Sequence, residues 1–144
     1  MPFSTVCEYA LRALTHLAVT DDDRPIRADE IAVSENIPGH FLSKILNELT
    51  HKGFVQGPRG PGGGFALARP ANEILVMDVI TSIDGADSIS RRCVLGLDDC
   101  SDDQPCPLHD TCKGFKEVFI ESVRPLTLQS MGEMLVRKRA SRSS

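Results

Sequence analysis

Between Arg91 and Cys112 the chain reads RRCVLGLDDCSDDQPCPLHDTC, a stretch that cannot order itself by burying apolar surface. Its twenty-two residues hold four of the five cysteines and one of the four histidines, and offer almost nothing for a hydrophobic face. Fixing a backbone costs on the order of 1–2 kcal/mol per residue, so such a segment needs another source of order if it is ordered at all. Cys93 and Cys100 are separated by six residues, Cys100 and Cys106 by five, and His109 follows Cys106 after two more. Pro105 and Pro107 stiffen the chain around the third thiol. Thiolates at loop spacing suit soft metals, and three or four of them suit zinc or an iron–sulfur cluster.

Composition bounds the rest. A chain of 144 residues can form one domain with a real core, or a small domain plus an oligomerisation element. No apolar run approaches the roughly 20 residues needed to span a bilayer, and the N-terminus lacks the basic-then-apolar order of a signal peptide. The expectation is a cytoplasmic protein with no membrane partner, where a reducing environment turns cysteines toward metal binding or redox chemistry. Asp98, Asp99, Asp102 and Asp103 would keep free thiols nearby protonated, which argues against a nucleophilic role. A metal reverses that logic by deprotonating its own ligands. The net charge of −4 is unevenly placed: residues 1–70 carry 7 basic and 8 acidic side chains, 71–112 carry 2 and 9, and 113–144 carry 7 and 3. A nearly neutral front half can still present a basic face to phosphate, so the acidic total does not exclude DNA.

Val6, Ala10, Ala13, Leu14 and Leu17 recur at helical spacing, with Thr5 and Glu8 in the relation of a capping box. Asp21–Asp23 and Pro25 close this helix, and a short second one runs from about Ala28 to Ser34. A third opens at Pro38 and stops at Gly53, with Phe41, Leu42, Ile45, Leu46 and Leu49 as its core face. His40, Ser43, Lys44, Asn47 and His51 point elsewhere. Two short helices and a tight turn make a helix-turn-helix possible, although any amphipathic helix has a solvated face. The segment beyond Gly53 is more specific. Phe54–Gln56 and Phe65–Leu67 are strand-like runs joined by the glycine-rich residues 57–64, which together read as the wing of a winged helix. A phosphate-binding nucleotide loop is the competing reading, but no GK[ST] opens a helix behind it. On the winged-helix reading, Ser43 and Lys44 position the protein on phosphates, while Asn47 and a wing-tip Arg59 can read bases or a narrow minor groove.

Ile74–Ile83 reads as a short extended piece leading into a helix that Gly85 stops. After the cysteines, Phe115, Val118 and Phe119 form a stripe too apolar for a lone surface helix, so it is expected to pair with its twin in a homodimer. Thr127 can cap a last short helix carrying Leu128, Met131 and Leu135, before a polar tail. The expected fold class is mostly α: a winged helix-turn-helix DNA-binding domain with a small β-hairpin wing, plus a long dimerisation helix. The expected divisions are residues 1–85 for the DNA-binding domain, 86–112 for the cysteine-rich loop, 113–136 for dimerisation helices and 137–144 for a flexible tail.

The succession EYALRAL, ADEIA, FLSKILNELTHKGFV, RGPGGGFALARP, then CVLG with two further cysteines and PCPLH, closely resembles the Rrf-two family of winged-helix transcription factors. The likeness runs to about Met134, and its most specific part is the pairing of a glycine-rich wing with a downstream three-cysteine loop. The resemblance implies a homodimeric regulator that binds double-stranded promoter DNA and carries a [2Fe-2S] or [4Fe-4S] cluster on Cys93, Cys100 and Cys106. For the fourth ligand it offers His109 first and then Glu8 supplied by the other subunit; Cys112, which continues the five-residue spacing of the cysteines, ranks third. Such a protein would sense redox state, nitric oxide or iron–sulfur status and alter promoter binding accordingly. A regulator that uses bare thiols or zinc without a cluster is the alternative. A zinc-dependent enzyme is remote, because PCxxH lacks the second cysteine of a deaminase motif and no HxE precedes it. Cys7 reads as a small core residue on the first helix.

Overall fold

The computed structural model describes residues 2–20, 24–97 and 99–143, with the side chains of Arg59 and Ser143 outside that set. The expected acidic turn Asp21–Asp23 therefore lies outside the described residues, as does Asp98. The elements run α1 (Thr5–Val19), β1 (Ile26–Arg27), α2 (Ala28–Glu35), α3 (Gly39–His51), β2 (Val55–Arg59), β3 (Gly64–Leu67), α4 (Val76–Asp84), α5 (Ser88–Arg91), α6 (His109–Val123) and α7 (Leu128–Ser143).

Helix α1 is the axis of the core. Its buried face of Cys7, Ala10, Leu11, Ala13, Leu14 and Leu17 meets the buried faces of α2, α3, α4 and α7. Small side chains at positions 7, 10 and 13 let several helices approach one helix at once. The N-terminal cap falls one residue earlier than the Thr5–Glu8 capping box. Ser4 Oγ accepts from the Cys7 amide at 3.1 Å, because the Ser4 amide and hydroxyl are themselves held by the Asp84 carboxylate at the end of α4. Glu8 is left to pair with Arg12 along the helix surface.

Helices α2 and α3 meet at a turn in which Asn36 takes the left-handed conformation at φ 53° and Ile37 is buried. Leu42, Ile45, Leu46 and Leu49 seat α3 in the core at helical spacing. Phe41, expected on that face, is instead 47% exposed and lies against His40 with ring centroids 4.5 Å apart. Its position next to Leu42 turns it about 100° from the core stripe.

The wing is a three-stranded antiparallel sheet in the order β1-β3-β2. Strand β1 is two residues long and pairs Ile26 with Phe65, too short to leave any alternation in sequence. The expected loop over 57–64 is shorter than foreseen, since β2 runs to Arg59, opposite Gly64, across an irregularity after Gln56. A Cβ at Gly64 would lie 2.6–2.8 Å from Pro25, including its backbone, so only glycine lets β3 pass this closely.

At the far end the chain closes on itself. The Val76 amide donates to the Leu126 carbonyl and the Leu128 amide to Ile74, each at 3.0 Å. Thr127 caps α7 as expected: its Oγ1 accepts from the Ser130 amide at 3.1 Å. In the stretch expected to be a flexible tail, residues 137–144, helix α7 runs as far as Ser143, and Arg139 pairs with Glu35 of α2. Ser144 lies outside the described residues.

Where α7 crosses α1, a Cβ on Gly132 would approach Val19 Cγ1 to 2.5 Å. Alanine gains about 1 kcal/mol of helix propensity over glycine, but overpacking against a stiff β-branched side chain costs about 1–3 kcal/mol. Gly132→Ala is therefore expected to lower the urea midpoint by an amount worth about 1 kcal/mol, and a raised midpoint would show that α7 is not held against α1 at this crossing.

Candidate nucleic-acid interface and metal centre

Helix α3 presents His40, Ser43, Lys44 and Asn47 to solvent while its opposite face is buried. Ser43 Oγ donates to the Gly39 carbonyl at 3.1 Å. The backbone of Arg59 stands at the tip end of β2, next to the turn closed by the Gly63 amide donating to Gly60 at 3.2 Å. The Arg59 side chain lies outside the described residues. The arrangement is a second helix of a helix-turn-helix flanked by a wing, which is the geometry that places one helix in a major groove.

The cysteine loop is ordered by polar contacts. Arg91 clasps Asp99 at 2.6 Å, the Cys100 amide donates to the Arg91 carbonyl at 2.8 Å, and Lys113 holds Asp102 at 3.1 Å. Lys116 of α6 donates to the carbonyls of Ser90 and Arg92 and so closes α5 onto α6. An acidic loop between basic anchors is the source of order that its apolar content could not supply.

Within this frame the candidate donors gather as two pairs. Cys106 is a neighbour that acts on the Cys93 thiol, and the Nδ1 of His109 is 3.2 Å from Cys100 Sγ. Among the described residues no group of three or more His, Cys, Asp or Glu side chains converges as a finished metal site. The donor chemistry nevertheless fits a soft metal group. Backbone amides of Leu95 and Leu97 aimed at the sulfur bring the Cys93 thiol below its ordinary pKa; burial opposes this, while Cys106 and the charge of Lys116 assist. His109 is only 6% exposed, and its Nε2–H donates to Asp102 Oδ1 at 2.8 Å, which leaves the Nδ1 lone pair on the side of Cys100. A carboxylate behind a histidine is the usual outer partner of a ligating imidazole. The hydrogen bond from His109, followed by that from Lys113, holds the Asp102 carboxyl below the usual carboxylate range.

Asp102, Lys113 and Lys116 carry no signal in the sequence that marks them as part of the site. Asp102 precedes His109 by seven residues in irregular chain, where no helix or strand period links two positions. Glu8 sits on the α1 surface with Arg12 and joins no donor group among the described residues. Cys112 lies in α6 and lines a groove with Phe3, Cys93 and Phe115. On the same helix Phe115 and Val118 are 61% and 68% exposed, and Phe119 stacks beside Phe115 with centroids 6.4 Å apart.

The model of one family, described as an iron-dependent transcriptional regulator, matches residues 3–134. The chain belongs to the Rrf2 family. A putative helix-turn-helix regulator of Aquifex aeolicus is 34% identical over 133 residues, covering 91% of each chain. The repressor NsrR of Streptomyces coelicolor is 29% identical over 138 residues, covering 91% of this chain and 88% of that one. Among solved structures, CymR, the global cysteine regulator of Bacillus subtilis, superposes with a TM-score of 0.70 at 22% identity, covering 92% of this chain and 96% of its own. The winged-helix fold is thus that of an Rrf2 transcriptional regulator. Among the described residues no helix is long and apolar enough to cross a membrane.

Cys7 differs from the other thiols. It is fully buried in α1, and burial, helped by the nearby Asp84 carboxylate, pushes it up to about 12. At pH 8 only about one Cys7 thiol in ten thousand is ionised, since each unit below the pKa is a factor of ten. Iodoacetamide on native, metal-free protein should therefore modify Cys100 and Cys106 while sparing Cys7 until urea is added; mass spectrometry of the peptides reads the result. Early modification of Cys7 would contradict its place in the core.

Proposed function

We propose that this Rrf2 protein is a homodimeric DNA-binding regulator whose affinity for promoter DNA is set by an iron–sulfur cluster held by Cys93, Cys100, Cys106 and His109. The observation that carries this reading is His109, buried and clamped by Asp102 through Nε2, with its Nδ1 3.2 Å from Cys100 Sγ. A histidine that only began a helix would have no need of that burial or that carboxylate. When bound, the cluster supplies a centre that reacts with oxidants and nitric oxide. The chain's own residues do the rest. Leu95 and Leu97 amides stabilise thiolate at Cys93, and Asp102 orients His109. Lys116 ties the loop to α5 and α6.

The apolar stripe of Phe115, Val118 and Phe119 is the surface for a second copy, and a twofold axis there would set two α3 helices about 34 Å apart, one turn of duplex. His40, Ser43 and Lys44 then serve the phosphate backbone, while Asn47 and Arg59 carry sequence preference. The adjacency of Cys93 and Cys106 favours one second reading, a thiol- or zinc-based regulator. Colourless protein with stoichiometric zinc after anaerobic purification would select it over the cluster.

Anaerobically purified protein is expected to be coloured and to contain iron and sulfide. Alanine at Cys93, Cys100 or Cys106 should abolish the chromophore, alanine at Cys7 or Cys112 should keep it, and His109→Ala should leave it coloured but labile. Promoter affinity measured at matched salt should differ between holo and iron-free protein, and equal affinities would reduce the cluster to a structural staple. Separately, Asn47→Ala should weaken specific binding by about 1–3 kcal/mol and relax sequence preference without altering the absorption spectrum. Unchanged operator affinity would remove Asn47 from the base-reading surface.

A further inference from the structure

The last turns of α7 carry Arg137, Lys138, Arg139 and Arg142 and no acidic residue. Cations at a helix C-terminus complement the macrodipole, and that alone would account for one or two of them on a solvated end. It does not account for where the helix goes. The inward stripe of Leu128, Met131, Gly132 and Leu135 continues at the same spacing into Arg139, whose Nη2 lies 2.9 Å from both carboxylate oxygens of Glu35. Glu35 is the last residue of α2, is only 4% exposed, and stands four residues before Gly39, where α3 begins. A buried carboxylate without a cation would be strongly unfavourable, so this pair fixes the end of α7 beside the α2–α3 turn.

Lys138 and Arg142 are one helical turn apart, flank Arg139 on one side of α7 and are exposed. Neither has a carboxylate within ion-pair distance among the described residues, whereas Arg24, Arg27, Arg91 and Arg124 each do. Arg142 lies about 4.5 Å farther along the helix axis than Arg139. Arg137 points around the helix into a groove with Ala18, Val19 and Ala71. Two cations without a carboxylate partner among the described residues, on the helix that Arg139 joins to the end of α2, meet the charge requirement for duplex backbone, whose phosphates continue past the bases that α3 can reach.

We propose that the basic end of α7 is a second DNA-contacting element, in which Lys138 and Arg142 engage phosphates flanking the base pairs read by α3, while Arg139 docks the helix on α2. This rests on the reading of α2 and α3 as a DNA-binding unit. It makes the C-terminal helix part of the operator surface and lengthens the site beyond the footprint of helix and wing.

The test uses the full-length chain and a duplex carrying the sequence it selects from a random pool, with affinity measured by anisotropy between about 50 and 300 mM salt. Lys138→Gln with Arg142→Gln should make the plot of log affinity against log salt shallower by about 1–2, near 0.9 per lost phosphate contact. The loss should be similar on selected and scrambled duplexes. Trimming the flanking base pairs should weaken the native protein and leave the double variant unaffected. Lys138→Arg with Arg142→Lys should keep the native slope, as should Arg137→Gln. An unchanged slope in the double glutamine variant, with selected-site binding intact, would overturn the proposal alone. Failure of the native protein to select or bind any duplex would overturn the DNA-binding reading and this inference with it.

Discussion

Everything in this fold leans on the burial of α1. Its inward face is built from Cys7, Ala10, Leu11, Ala13, Leu14 and Leu17, and α2, α3, α4 and α7 all rest on it. The small residues matter as much as the large ones, because close approach of several helices to one axis leaves room for little more than a methyl group or a thiol at the crossings. Gly132 extends the same requirement to α7, where Val19 occupies the space of a side chain. Helix α3 is thereby held from behind, with only its polar edge and Phe41 left outside.

A second consequence is that the cysteine loop and the DNA-binding unit share a support. Arg92, next to Cys93, reaches Asp84 at 4.0 Å, and Asp84 in turn holds the Ser4 cap of α1. Lys116 of α6 ties the same flank of the loop through the carbonyls of Ser90 and Arg92. Arg92, Asp84 and Ser4 thus connect the start of the cysteine loop to the N-terminus of α1. At the opposite end, Arg139 and Glu35 bind the C-terminal helix to the α2–α3 turn. The winged helix is thus contacted at two points by segments distant in sequence.

Much of the winged helix was legible because its signals are local. Ile45, Leu46 and Leu49 mark α3 by period, Pro38 and Gly53 bound it, and the glycines before Phe65 mark the wing. Thr127 capped α7 for the same reason, its partner Ser130 being three residues away. The Thr5–Glu8 cap misled because the competitor for Ser4 was Asp84, invisible from its neighbours. Strand β1 was missed since two residues show no alternation, and its pairing with β3 is a long-range event. The end of α7 looked like a frayed tail because a run of arginine, lysine and serine has no apolar stripe, and nothing nearby in sequence announces Glu35.

By itself the sequence determined the family, the winged helix with its hairpin, and a set of candidate soft donors between Cys93 and His109, all of which are written in contiguous residue types and spacings. Only the tertiary structure decided how those donors meet, as Cys93 with Cys106 and Cys100 with His109. It alone decided that Asp102 stands behind His109, and that a buried carboxylate on α2 draws in an arginine from α7. The physical reason is common to these cases. Charged and hydrogen-bonding partners choose each other by distance and desolvation after the chain has folded, and neither is recorded in a local pattern of residues.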